Sequence, residues 1–275
     1  SMLKIYAGKT ALKIIEEYGF KEELFTNFLG ASGGPKWFTL FGLDKYLFSE
    51  FFKNRVKPLN LIGSSAGAFR AAALTQKDPV QAIERLAFTY ANTAYSAKPT
   101  PEEIADKAVG IVDQLFTGNG ANEVINNTIF KAHFLVAKCH GLTAFDNKLM
   151  QGAGLINSML LNKISRKLLS NQYQRYIFKH PSSNLVINDP YKFNNVYQTL
   201  TSDNIKSAIL ASGSIPMVMT GIKHIHGADK GTYRDGGIID YHFDFSLANE
   251  TEHQLNHAKS SQGLTLYPHF SAEPK

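Results

Sequence analysis

Apolar positions recur along this chain in two rhythms. Phe25 to Leu29 and Leu59 to Ile62 are short, nearly continuous apolar runs and predict buried strands. After each, the spacing changes. Trp37, Leu40, Phe41, Leu43, Leu47, Phe48 and Phe51 return at helical intervals, with Pro35 suited to a first helical position. The alanine-rich run from Ala66 to Leu74 predicts another helix. An amphipathic helix over residues 11–18, closed by Gly19, precedes the first strand. Strand, turn, helix, twice over, predicts an α/β protein with a parallel sheet and crossover helices.

From Pro79 to Ser170 the pattern is mostly helical. Asp78-Pro79 and Pro99-Thr100-Pro101-Glu102-Glu103 mark two helix starts, the second with acids in its first turn. His133 to Ala137 predicts a buried strand. Leu155 to Leu169 is apolar on one side and carries Lys163, Arg166 and Lys167 on the other. Residues 171–195 read as loop with short strands. Ser202 or Asp203 caps a helix through Leu210, ended by Gly213 and Pro216, and Gly227 to Gly237 reads as a turn-rich hairpin region. No composition break marks a boundary, so residues 1–275 are expected to form one domain. The apolar run Leu264 to Phe270 near the C-terminus lacks a closing helix, which points to a chain trimmed or continuing beyond it.

Composition narrows the chemistry only slightly. The hydrophobic fraction, 44%, suffices for a sizeable core, and the net charge of +6 favours anionic surfaces. One cysteine, Cys139, allows no internal disulfide and no cysteine metal motif. No apolar run reaches membrane-spanning length, and the N-terminus lacks a secretory pattern, so the default expectation is cytoplasmic.

The candidate chemistry lies in the turns. Gly63-Ser64-Ser65-Ala66-Gly67 fits G-x-S-x-G between a strand and a helix. A sharp turn of this kind lifts a serine hydroxyl clear of the sheet edge, near the positive end of a helix. Gly63 and Gly67 remove Cβ atoms that would clash there. A glycine-rich packing turn is the competing reading. Upstream, Gly30-Ala31-Ser32-Gly33-Gly34-Pro35-Lys36 also joins a strand to a helix. It fits neither the P-loop nor the dinucleotide fingerprint. The Gly33 and Gly34 amides suit an oxyanion hole for a carbonyl attacked by Ser65. A serine needs a base. Asp235, in Asp235-Gly236-Gly237, is either the acid of a triad completed by His242 or His269, or the direct base of a two-residue site. A simple turn between strands remains the alternative at that position.

Four segments in this order, "GASGGPKW" (30–37), "IGSSAGA" (62–68), "AILASGSIPMVM" (208–219) and "YRDGGIIDYH" (233–242), resemble the patatin-like phospholipases, closest to a bacterial branch. The resemblance implies a three-layer α/β/α fold with a mostly parallel central sheet. It implies a Ser-Asp dyad with Ser65 as nucleophile and Asp235 as base, and an oxyanion loop containing Gly33 and Gly34. Lys36 matches the family's basic position, and Gly236 and Gly237 match the glycines after the aspartate. Ser32 and Trp37 stand where the family has glycines. The implied reaction is hydrolysis of lipid acyl esters through an acyl-enzyme, with no cofactor and no metal. The alternative is a catalytically silent lipid-binding protein on the same fold. Some bacterial relatives are secreted effectors, the alternative to cytoplasmic residence.

The expected partners are a lipid ester and, peripherally, an anionic membrane surface, with no nucleic acid. Lys163, Arg166, Lys167, Arg175 and Lys179 are the candidates for lipid contact, against a plain solvated face. His133 reads as a core residue. His224 and His226 alternate as strand neighbours would, without an evident third metal ligand. His242 reads as a structural or pocket residue beside the dyad.

Overall fold

The computed structural model describes residues 5–30, 39–144, 172–189, 193–214, 219–240, 245–249 and 263–268. α1 (Lys9–Tyr18) ends at Gly19, whose φ of 82° is readily adopted only by glycine. It is followed by β1 (Phe25–Gly30), α2 (Phe41–Tyr46) with a π-helical continuation Leu47–Phe51, β2 (Leu59–Gly63) and α3 (Ala66–Leu74). Then come α4 (Pro79–Ala91), α5 (Pro101–Leu115), α6 (Gly120–Asn126) and β3 (Phe130–Cys139). The second half contains β4 (Tyr173–Lys179), β5 (Leu185–Asn188), β6 (Asn195–Thr199), α7 (Ile205–Ser212), β7 (Thr232–Asp235), α8 (Gly237–Asp240), β8 (Ser246–Asn249) and β9 (Leu264–Leu266).

The predicted helix starts at Asp78 and Thr100 are both side-chain caps. Asp78 Oδ1 accepts from the Gln81 amide at 3.1 Å and Thr100 Oγ1 from the Glu103 amide at 3.1 Å. The α7 cap is instead Asn204, one residue past Asp203. Its side chain is drawn into holding the carbonyls of Thr199 and His226.

The central sheet runs β6-β4-β3-β2-β1-β9, with β7 also paired to β3. β1 is parallel to β2 and β9, β2 to β3, and β4 to β6; β4 and β7 run antiparallel to β3. The sheet is therefore mostly parallel and forms the middle of three α/β/α layers. Strand alternation divides the core. Phe28, Leu61, Phe134 and Val136 pack with α3, α4, α5 and α7, whereas Leu29, Ile62 and Leu135 face the β5–β8 ribbon on the other side. Phe48 from the π-helical turn meets Phe28 edge-on, with ring centroids 5.4 Å apart. Arg70 of α3 holds Asp44 of α2 by two bonds of 2.8 and 2.7 Å, fully buried. That pair anchors the helix that begins at the serine turn.

Within residues 171–195, read as loop with short strands, Tyr173–Lys179 is a seven-residue strand paired on both sides. Three readings need correction. Arg175 is not on a charged face. It is buried, with Nε and Nη2 on Asp240 at 2.8 and 2.6 Å and Nη1 on Asp189 and Asn195 at 2.8 and 2.9 Å. His224 and His226 are not strand neighbours but lie exposed in a loop. The region before Asp235 forms no regular hairpin: Tyr233 makes one antiparallel bridge to Ile222, while its strand belongs to β3. Residues 155–169, with Lys163, Arg166 and Lys167, lie outside the described residues. No described helix is long and apolar enough to cross a membrane.

Candidate active site

One edge of β3 is occupied by two strands arriving from opposite ends. β2 runs beside Phe130 to Phe134, ending with Gly63 opposite Phe134. β7 runs the other way beside Cys139 to Val136, ending with Asp235 opposite Val136. β4 covers the other edge. The carboxyl ends of β2 and β7 thus point at each other across Leu135, and the residues that leave them converge.

What leaves β2 is the turn Ser64-Ser65. Ser65 has φ 56° and ψ −124°, the one positive φ at a non-glycine among the described residues. Such a conformation costs on the order of 1–3 kcal/mol and persists only where its surroundings impose it. They do so here by close packing. A Cβ on Gly67 would lie 2.0 Å from the Gly30 carbonyl oxygen, and one on Gly63 would lie 2.2 Å from the Gly67 oxygen. The first turn of α3 is therefore pressed against the ends of β1 and β2 as only glycines permit. Gly67→Ala is expected to lower stability by about 3 kcal/mol or to misplace the turn, since the opposing atoms are backbone. Thermal unfolding of the purified variant measures this.

What leaves β7 is the Asp235 carboxylate. Its Oδ1 accepts from the Gly237 amide at 2.7 Å, and the Ser65 side chain lies near enough to act on the same carboxyl. Both side chains are almost fully buried. Burial pushes the Asp235 carboxyl up to about 6, against the opposing pull of the Gly237 and Ser65 bonds. Gly236 is required as well: a Cβ there would lie 2.2 Å from the Leu135 oxygen. The hydroxyl and carboxyl singled out from sequence are thus brought to one place, although 170 positions separate them along the chain.

The amino end of α3 begins one residue after Ser65 and directs its dipole there. Gly33, Gly34 and Lys36 lie outside the described residues, as do His242 and His269. Gly30, three residues before Gly33 in sequence, packs closely on the Gly67 backbone, so β1 ends beside the serine turn. His133 is buried on the opposite face of the sheet, between the Leu61 carbonyl at 3.2 Å and Ser183 Oγ at 2.5 Å. Desolvation holds its imidazole down to about 3. Among the described residues no group of three His, Cys, Asp or Glu side chains is arranged to hold a metal.

Two residues that carry the geometry were not singled out from sequence. The Ser65 amide donates to Ser212 Oγ at 3.0 Å, and the Asp235 amide donates to the Ser214 carbonyl at 3.0 Å. The signal available was the segment containing Ser212-Gly213-Ser214, two serines about a glycine at the end of a small-residue helix. Arg175 adds a third support, since its grip on Asp240 fixes the short helix that follows the aspartate.

A model of the patatin-like phospholipase family matches residues 31–242, from the loop after β1 to just beyond α8. No curated protein and no solved structure matches the chain.

Proposed function

Because the chain belongs to the patatin-like phospholipase family, its chemistry is lipid acyl hydrolysis in kind, and we propose that Ser65 and Asp235 perform it as a two-residue site. The observation that carries this reading is the convergence of a serine at a strained turn and a buried carboxyl, brought together by two strand ends on one edge of β3.

The steps follow from that convergence. Asp235 takes the Ser65 proton as Oγ attacks the ester carbonyl carbon. The carbonyl oxygen becomes an oxyanion, which we assign to the Gly33 and Gly34 amides of the loop that follows Gly30, with Lys36 next but one in sequence. One such donor is worth roughly 2.7–4 kcal/mol of barrier. Collapse of the tetrahedral species breaks the ester C–O bond, and the departing alkoxide collects the proton from Asp235. Water then gives a proton to Asp235 as it attacks the acyl-Ser65 ester; the acyl–Oγ bond breaks, Asp235 returns that proton to Ser65 Oγ, and a fatty acid leaves. A carboxylate is a weak base, and burial strengthens it. The limited basicity suits esters, whose alcohol is easier to expel than an amine. The substrate class is accordingly a lipid acyl ester, met at an anionic lipid surface favoured by the net charge of +6.

Hydrolysis of p-nitrophenyl acyl esters tests the reading. Asp235 must be ionised to act, so kcat/KM is expected to rise about tenfold per pH unit on the acid side and to level off above about pH 6. An acid limb that is absent would remove Asp235 as the base, and loss of turnover in His242→Ala or His269→Ala with Asp235→Asn still active would replace the dyad by a histidine-dependent site. Lipid profiling of a total lipid extract, treated with wild type or with Ser65→Ala, identifies the natural ester. Liposome binding unchanged by Ser65→Ala, with no ester cleaved, would favour the silent binding protein.

A further inference from the structure

The end of α7 lies against the gap between the two strand termini. Ser212 is completely buried there, and its hydroxyl makes two bonds. It donates to the Leu135 carbonyl at 2.7 Å and accepts from the Ser65 amide at 3.0 Å. Leu135 is the β3 residue between the last partner of β2, Phe134, and the last partner of β7, Val136. The Ser212 hydroxyl therefore fastens the turn carrying Ser65 to the strand on which Asp235 is also registered. Two residues on, the Ser214 carbonyl takes the Asp235 amide, while the Ser214 hydroxyl closes back on the Leu210 carbonyl at 2.7 Å. Gly213 between them is tightly packed: a Cβ there would lie 2.9 Å from the Phe69 ring of α3.

A hydroxyl can donate one bond and accept others, so Ser212 serves a backbone acceptor and a backbone donor at once. Alanine at 212 leaves both buried groups unpaired, and one of them belongs to the residue whose backbone is strained. Resting on the reading of Ser65 as nucleophile, we propose that Ser212 is a positioning residue: its hydroxyl holds the Ser65 backbone at the angle that aims Oγ at Asp235, without touching substrate. The end of α7 thereby registers nucleophile and base to each other, through the Ser212 side chain for one and the Ser214 carbonyl for the other.

The test compares Ser212→Ala and Ser212→Thr with wild type in two independent readouts. These are steady-state hydrolysis of a p-nitrophenyl ester and NMR hydrogen exchange of the Ser65 amide. Ser212→Ala is expected to lower kcat by roughly 10- to 100-fold with KM held within about twofold, because the hydroxyl is misaimed rather than the pocket lost. The Ser65 amide should exchange roughly tenfold faster, the loss of one hydrogen bond. Threonine, which keeps the hydroxyl, should restore both. If Ser212→Ala does not fold, Ser212→Cys takes its place; its thiol is the weaker partner, so both readouts should rank serine and threonine above cysteine. Unchanged kcat and unchanged exchange would overturn the proposal, as would a fall in kcat with Ser65 exchange unaltered. If wild type cleaves no ester, the hydrolase reading fails by itself, and the exchange measurement still decides whether Ser212 holds Ser65.

Discussion

Replacing Ser65 with alanine is expected to reduce ester turnover by on the order of 10⁴-fold or more and to abolish labelling by a fluorophosphonate. The labelled peptide in wild type should contain Ser65. The backbone makes the choice of substitution informative. At φ 56° and ψ −124° alanine retains the strain that serine bears, whereas glycine relieves it. Ser65→Gly should therefore be as inactive as Ser65→Ala yet more stable, by about 1 kcal/mol in denaturant unfolding. Equal stability of the two variants would mean that the turn stores no strain. Full activity in either would remove Ser65 from the mechanism.

Asp235→Asn is expected to separate activity from stability in the same way. Without a base at that position, turnover should fall by roughly 10²- to 10⁴-fold while the fold persists. Stability should move in the opposite direction, and the sign follows from linkage. The Asp235 carboxyl is raised from 3.8 to about 6 on folding, so the folded protein binds the extra proton between those values. The contribution of Asp235 is thus fully present below about pH 3.8 and is lost as pH rises through about 6. At pH 8 the buried charge costs about 3 kcal/mol relative to the neutral form. Asparagine carries no charge, so Asp235→Asn should be the more stable protein at pH 8, with the difference closing below about pH 4. Unfolding at the two pH values measures this. An active Asp235→Asn enzyme beside a dead His242→Ala or His269→Ala would establish a triad instead.

The legible parts of this protein were those decided locally. Leu59 to Ile62 followed by Gly63-Ser64-Ser65-Ala66-Gly67 places strand, turn and helix within residues that contact each other, and α3 begins and ends where the apolar pattern predicts. The caps at Asp78 and Thr100 act over three residues and were equally plain. The misread parts depend on partners far away. Tyr173–Lys179 falls in a stretch read as loop with short strands, and its central place in the sheet comes from β3 and β6 on either side. Arg175 tolerates burial there only because Asp189, Asn195 and Asp240 surround it. The meeting of Ser65 with Asp235 was expected from motif resemblance, but its cause, two strands sharing one edge of β3, is a matter of register that no local pattern encodes. Ser212 escaped notice because a serine in a run of small residues looks the same whether its hydroxyl packs idly or joins two strands.

The shared edge has a mechanical meaning. The proposed nucleophile and base hang from a single ten-residue rail, one fixed near Phe134 and the other near Val136. A displacement of the outer helices would leave that rail in place. The spacing of the pair is set by backbone bonds at the centre of the sheet.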